Sequence, residues 1–154
     1  MIHLKRLSVL LTAAIIAVIM QLQTYAYDRE ISSEEMRMLE AVVMHEVGYC
    51  SRESIVAVTH VVRNRLESPL FPDTIEEVLH QKGQFSAIHN YYDHEIPVSY
   101  KVHKIVREAL KLPDTTNGAL FFYAPRYMQK DSPACQWFQS LETTLICEGV
   151  WYCK

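Results

Sequence analysis

Apolar and polar residues alternate along this chain at helical spacing for most of its length, and at strand spacing only near its end. Ser32-Ser33-Glu34-Glu35 opens the first periodic stretch. Ser32 with Glu35 three residues on fits a capping box, in which each side chain satisfies a free backbone N–H at a helix start. Met36, Leu39, Val42, Val43 and Met44 then form an apolar stripe up to about Val47. Gly48 is expected to end that helix, because glycine accepts the left-handed conformation at low cost. Ser51 reads as the next N-cap. Ile55, Val58, Val61 and Val62 carry helical spacing to Arg65, and periodicity outweighs the weak helix propensity of so many valines. Pro69 and Pro72 break the chain, and Asp73 with Glu76 repeats the capping-box pattern for a short helix through about His80.

Residues 81–98 read as a long loop, and loops of that length inside a compact domain are usually functional or mobile. Ser99 starts a helix whose stripe is Val102, Ile105, Val106, Ala109 and Leu110, stopped by Pro113. Ala119-Leu120-Phe121-Phe122-Tyr123 suits a strand, and Thr144–Cys147 and Val150–Cys153 flank Glu148-Gly149 as a hairpin would. The expected fold is mostly helical α+β, with its strands late in the chain.

The first residues follow a different pattern. Lys5 and Arg6 precede an almost wholly apolar run from Leu7 to Met20, and Thr24-Tyr25-Ala26 offers small residues for cleavage. That order is expected of a secretory signal over residues 1–26, and the run is shorter than the ~20 residues a membrane span requires. Residues 27–154 then form one domain, exported to the cell envelope or beyond, without stable membrane insertion after cleavage. Residues 1–26 hold two of the 15 Lys+Arg and none of the 18 Asp+Glu, which leaves 13 against 18 and a net charge of −5. Such an acidic balance argues against a nucleic-acid partner.

Cys50, Cys135, Cys147 and Cys153 are an even set, which in an exported chain suggests two disulfides rather than a nucleophile. Three pairings are open. A two-residue hairpin loop sets Cys147 opposite Val150, which argues against a Cys147–Cys153 bridge. No Cys-x-x-Cys pair supports zinc.

His45-Glu46 begins a helical zinc motif, but Tyr49 stands where the second His belongs. His89, Asp93 and His94 make a candidate metal site of no strong template. No phosphate-binding loop or serine-nucleophile motif is present. Glu46 is the most informative acid. It sits at a helix end among Val43, Met44 and Val47, where partial burial raises a carboxyl's pKa and suits it to donate a proton.

Several short motifs follow in order. They are Glu46 with Gly48-Tyr49, the Val/Ala-rich run 55–62, Asn64-Arg65, Ser68-Pro69-Leu70-Phe71-Pro72 and Gln84-Phe85-Ser86. Asp114-Thr115-Thr116-Asn117-Gly118-Ala119 runs into aromatics through Tyr123, and Gly149-Val150-Trp151-Tyr152 closes the series. In this order and spacing the chain resembles the SleB/CwlJ-type cell-wall hydrolases, the spore-cortex-lytic enzymes and their relatives. The resemblance implies a lysozyme-like domain that cuts peptidoglycan glycan strands between N-acetylmuramic acid and N-acetylglucosamine. It also implies Glu46 as the catalytic acid, no cofactor, and action as a monomer. The family's second acid, four positions after the catalytic Glu, is here Cys50. That substitution leans the reading toward lytic transglycosylation by one Glu, with Glu53, Asp93 and Asp114 as candidate second carboxylates for simple hydrolysis. Gln84 and Ser86 are expected to orient sugar amides and hydroxyls, and Tyr49 and Tyr123 to stack on sugar rings. Phe85 is expected in the core, and Asn64-Arg65 to pin the helix end and its loop. Two other readings stand beside this one: a secreted peptidoglycan-binding module without catalysis, and a metal-dependent hydrolase using His89, Asp93 and His94.

Overall fold

The computed structural model describes residues 30–92 and 97–154, whose compact unit is Ser32–Lys154. The expected signal segment therefore lies outside the described residues, as do Asp93 and His94 of the candidate metal loop. Among the described residues no helix is long and apolar enough to cross a membrane.

Helix α1 spans Ser33–Val47, and its start carries the expected capping box: Glu35 N–H donates to Ser32 Oγ at 3.1 Å and Ser32 N–H to Glu35 Oε2 at 3.0 Å. Its end differs from expectation. Gly48 keeps a right-handed helical backbone (φ −61°), and its N–H still reaches the Met44 carbonyl at 3.0 Å. Glycine is needed there for space, since an added Cβ would collide with the Met44 carbonyl and thioether.

Helix α2, Arg52–Glu67, is capped by Ser51, and Ile55, Val58, Val61 and Val62 are wholly buried. Helix α3, Ile75–Leu79, starts one residue later than its sequence pattern suggests. Thr74, rather than Asp73, caps it by accepting from Glu77 N–H at 3.2 Å. The expected loop 81–98 contains a short 3-10 helix at Ser86–Asn90, which buries Ala87 and Ile88. Helix α4, Tyr100–Ala109, is capped by Ser99 and turns Val102, Ile105, Val106 and Ala109 inward.

Helices α1, α2 and α4 pack together over one apolar core, with α3 against α1 and α2. Glu40 lies inside this helical layer at 4% exposure. It accepts from Arg107 Nε at 2.9 Å and pairs with His103 Nδ1 at 3.0 Å, so a buried charge ties α1 to α4.

Three strands, β1 (Phe121–Tyr123), β2 (Thr143–Cys147) and β3 (Val150–Cys153), form an antiparallel sheet in the order β1-β3-β2. Cys147 pairs with Val150, as the hairpin pattern requires, and a bulge sits between Thr143 and Leu145. Glu148 and Gly149 both adopt positive φ (49° and 79°), the geometry of a tight two-residue hairpin turn. Helix α5, Pro133–Ser140, was not anticipated from apolar spacing. Its signal is the Ser132-Pro133 start, a capping side chain followed by proline in the first turn. It packs on β1 through Trp137 against Phe121 and Phe138 against Tyr123.

Candidate active site

Glu46 occupies the last turn of α1, one residue before its end. Val43, Met44 and Val47 around it are buried, and its own side chain is 21% exposed. Loss of hydration raises its carboxyl above the ordinary value, and the nearby His45 imidazole, at 3.8 Å, only partly opposes the shift. A carboxyl held in this way keeps its proton to higher pH while still reaching solvent.

Of the other acids considered as partners, Asp93 lies outside the described residues. Glu53 is an exposed first-turn residue of α2. Asp114 accepts from Thr116 N–H at 2.9 Å, Thr116 Oγ1 at 2.7 Å and Gly118 N–H at 2.6 Å. Burial works to raise its pKa, but those donors prevail and lower it. Asp114 is thus an ionised turn-former that leads the chain into β1.

One carboxylate missed in the sequence stands near the turn after Glu46. Glu148 accepts from Ser51 N–H at 3.0 Å and Ser54 Oγ at 2.5 Å, at the start of α2. The Ser54 hydroxyl first, then Ser51, lower its pKa. Its turn position was legible, but its contact across 97 residues was not.

Tyr49 is 93% exposed in the turn after Glu46, with its ring open to a partner. Tyr123 is a correction. It is only 7% exposed, stacked on Phe138 at 4.5 Å and tilted against Trp151 at 6.0 Å, so its ring belongs to the core and offers no face to a sugar. Gln84 is exposed and Ser86 is exposed at the start of the 3-10 helix, while Phe85 between them is buried. Gln84 Oε1 accepts from Arg65 Nη2 at 2.6 Å.

Arg65 itself is almost wholly buried. Its Nε donates to the Leu120 carbonyl at 2.7 Å, and its guanidinium lies 5.1–5.3 Å from the ring centres of Phe71, Phe85 and Phe121. Burial lowers its pKa to about 10, which leaves it charged at neutral pH. Asn64 Nδ2 donates to Thr116 Oγ1 and to the Ala119 carbonyl, both at 3.0 Å. The pair therefore holds the Gln84 loop and the approach to β1. His89 is exposed, and no group of three potential metal-ligating side chains occurs among the described residues.

The architecture is that of a small α+β domain in which paired helices and a late sheet carry Glu46, a partly desolvated carboxyl, at a helix end. The family model described as Cell Wall Hydrolase matches residues 51–152, and the chain belongs to this family. No curated protein sequence matches the chain significantly. The catalytic domain of the germination-specific lytic transglycosylase SleB from Bacillus anthracis superposes with a TM-score of 0.71 at 24% identity, over 82% of this chain and 98% of that one. The catalytic domain of the Bacillus cereus SleB protein superposes with a TM-score of 0.69 at 22% identity, over 82% and 94%. The fold expected from the sequence is thus that of SleB catalytic domains. Glu46 lies five positions ahead of the family-matched stretch.

Proposed function

We propose that this protein cleaves peptidoglycan glycan strands between N-acetylmuramic acid and N-acetylglucosamine, as a lytic transglycosylase with Glu46 as its single catalytic carboxyl. The observation that carries the reading is the half-buried Glu46 with its raised pKa, at a helix end beside an open tyrosine. Membership of the cell wall hydrolase family and likeness to a domain described as a lytic transglycosylase support the substrate and the reaction.

Protonated Glu46 donates its proton to the glycosidic oxygen, the bond to the muramic anomeric carbon breaks, and the N-acetylglucosamine end leaves as an alcohol. The Glu46 carboxylate then takes the proton of the muramic 6-hydroxyl as that oxygen bonds to the anomeric carbon. The products are an anhydro-ring end and a regenerated acid, with no water consumed. Tyr49 offers a stacking face for a sugar, and Gln84 and Ser86 offer polar contacts on the loop pinned by Arg65.

Digestion of purified sacculi tests this. Wild type should release soluble muropeptides with anhydro ends by mass spectrometry, and Glu46→Gln should release them at least about 100-fold more slowly. Reducing ends would replace transglycosylation by hydrolysis. Full activity of the variant would remove Glu46 from the reaction. The rival reading, a binding module without catalysis, rests on Cys50 standing where the family's second acid is expected. It predicts that wild type binds sacculi and releases nothing.

A further inference from the structure

The four cysteines are free thiols, yet the sheet sorts them into two pairs. Residues directly opposite on neighbouring strands share a face, and successive residues along a strand change face. Phe121 pairs with Cys153 and Tyr123 with Trp151, so Phe121, Tyr123, Trp151 and Cys153 point to one side. Helix α5 covers that side through Trp137 on Phe121 and Phe138 on Tyr123. Cys135, in the first turn of α5, is 2% exposed, and Cys153 is 0% exposed. Both are enclosed at the α5 side of the sheet.

Cys147 lies on the other side. It pairs with Val150, which alternates with Trp151 and so faces away from α5. Its Sγ is 3.4 Å from Ser54 Oγ on α2. The next residue, Glu148, binds the N–H of Ser51 and the hydroxyl of Ser54. Cys50 immediately precedes Ser51. The α2 start therefore brings Cys50 to the hairpin end that carries Cys147.

The tyrosines between them report the same grouping. After burial, the cysteines that raise the Tyr152 hydroxyl are Cys147 and Cys50, and those that raise Tyr123 are Cys153 and Cys135.

We propose that this chain, when oxidised, carries two disulfides, Cys50–Cys147 joining the start of α2 to the hairpin and Cys135–Cys153 joining α5 to the central strand. The other two connectivities fail on geometry. Cys153 lies opposite Thr143, four residues along β2 from Cys147, which is about 13 Å at strand spacing. A disulfide needs Cα atoms within roughly 7 Å. Bridges 147–153, 50–153 and 135–147 would each also have to pass through the sheet. Each bridge forms when two thiols give up two electrons and two protons to a disulfide oxidant, which leaves as two thiols. The Cys50–Cys147 bridge would fasten the turn that follows Glu46, without depending on Glu46's chemistry.

Peptide mapping decides this. The full chain is equilibrated with oxidised and reduced glutathione, its remaining thiols are alkylated in denaturant, and it is cut with trypsin and a glutamate-specific protease. No Lys or Arg lies between Cys135 and Cys153, but Glu142 and Glu148 separate all three late cysteines. The expected result is two linked pairs, 50 with 147 and 135 with 153, and no alkylated cysteine. Cys50→Ser should expose one reactive thiol, Cys147, and leave the other bridge intact. Any cross-pairing, any of the four cysteines alkylated in the oxidised wild type, or release of Cys135 or Cys153 by Cys50→Ser overturns the assignment.

Discussion

The carboxylate of Glu148 accepts a hydrogen bond from the backbone N–H of Ser51 at 3.0 Å, which joins the hairpin turn to the start of α2. A carboxylate at a helix N-terminus satisfies a free N–H and meets the positive end of the helix dipole. Here the acid comes from the far end of the chain rather than from the local cap.

Glu148→Gln should therefore lower the melting temperature slightly at neutral pH, since the turn is exposed and its charge is screened by solvent. The depressed pKa of Glu148 fixes the sign. Its contribution is present above the ordinary carboxyl pKa and is lost as pH falls through the lowered one. Thermal melts of wild type and variant should converge in acid and separate toward neutrality.

Glu46 should behave oppositely. Its raised pKa means that the folded state holds the proton more tightly than the unfolded chain does. The benefit is complete below the ordinary carboxyl pKa and is lost as pH rises through the folded value. Glu46→Gln, which cannot ionise, should melt above wild type at neutral pH and match it in acid. The same variant should lose about 10²–10⁴-fold in muropeptide release, the usual contribution of a general acid. Wild-type activity should fall as pH rises through the Glu46 pKa. A variant that melted lower than wild type at neutral pH would contradict the burial argument.

The Glu40 cluster separates the cost of a charge from the cost of breaking its pairing. Arg107→Ala leaves a buried carboxylate with only His103 and should cost about 1–3 kcal/mol in urea unfolding. Glu40→Leu removes the buried charge and frees two half-exposed partners to solvent, and should cost much less. Equal losses in the two variants would assign the effect to packing.

Gly48→Ala should destabilise although alanine favours helix. The backbone there is already right-handed, so the substitution gains up to about 1 kcal/mol of propensity. The new methyl meets the Met44 carbonyl, which cannot move without disturbing α1, and overpacking of that kind costs about 1–3 kcal/mol. Equilibrium unfolding should show a net loss, and the displaced last turn should reduce activity through Glu46.

Local chemistry made much of this molecule legible in advance. Ser32 with Glu35, Ser51, Ser99 and Glu148-Gly149 are decided by residues within three positions of each other, and the structure has them as read. Thr74 displaced Asp73 because two adjacent residues both offer a capping oxygen. Glu40 was recoverable too, since it shares the inward arc with Met36, Val43 and Val47. Helix α5 was hidden because only Cys135 of its eight residues is buried, so it shows no apolar stripe. Glu46's burial follows from its neighbours on one helix. Tyr123's does not, because the ring that covers it comes from Phe138 on an element the sequence reading lacked. The Gln84–Arg65 bond likewise spans separate elements, and nothing in either segment announces it.

The order of the sheet has a bearing on how the protein is made. β3, which follows β1 and β2 along the chain, is the strand that both of them pair with. During vectorial synthesis, Phe121–Tyr123 and Thr143–Cys147 emerge with their pairing partner still missing. β2 meets β3 across a two-residue turn, whereas β1 waits about 30 residues of chain for the same partner. The sheet is thus held short of its final pairing until residues 150–153 arrive.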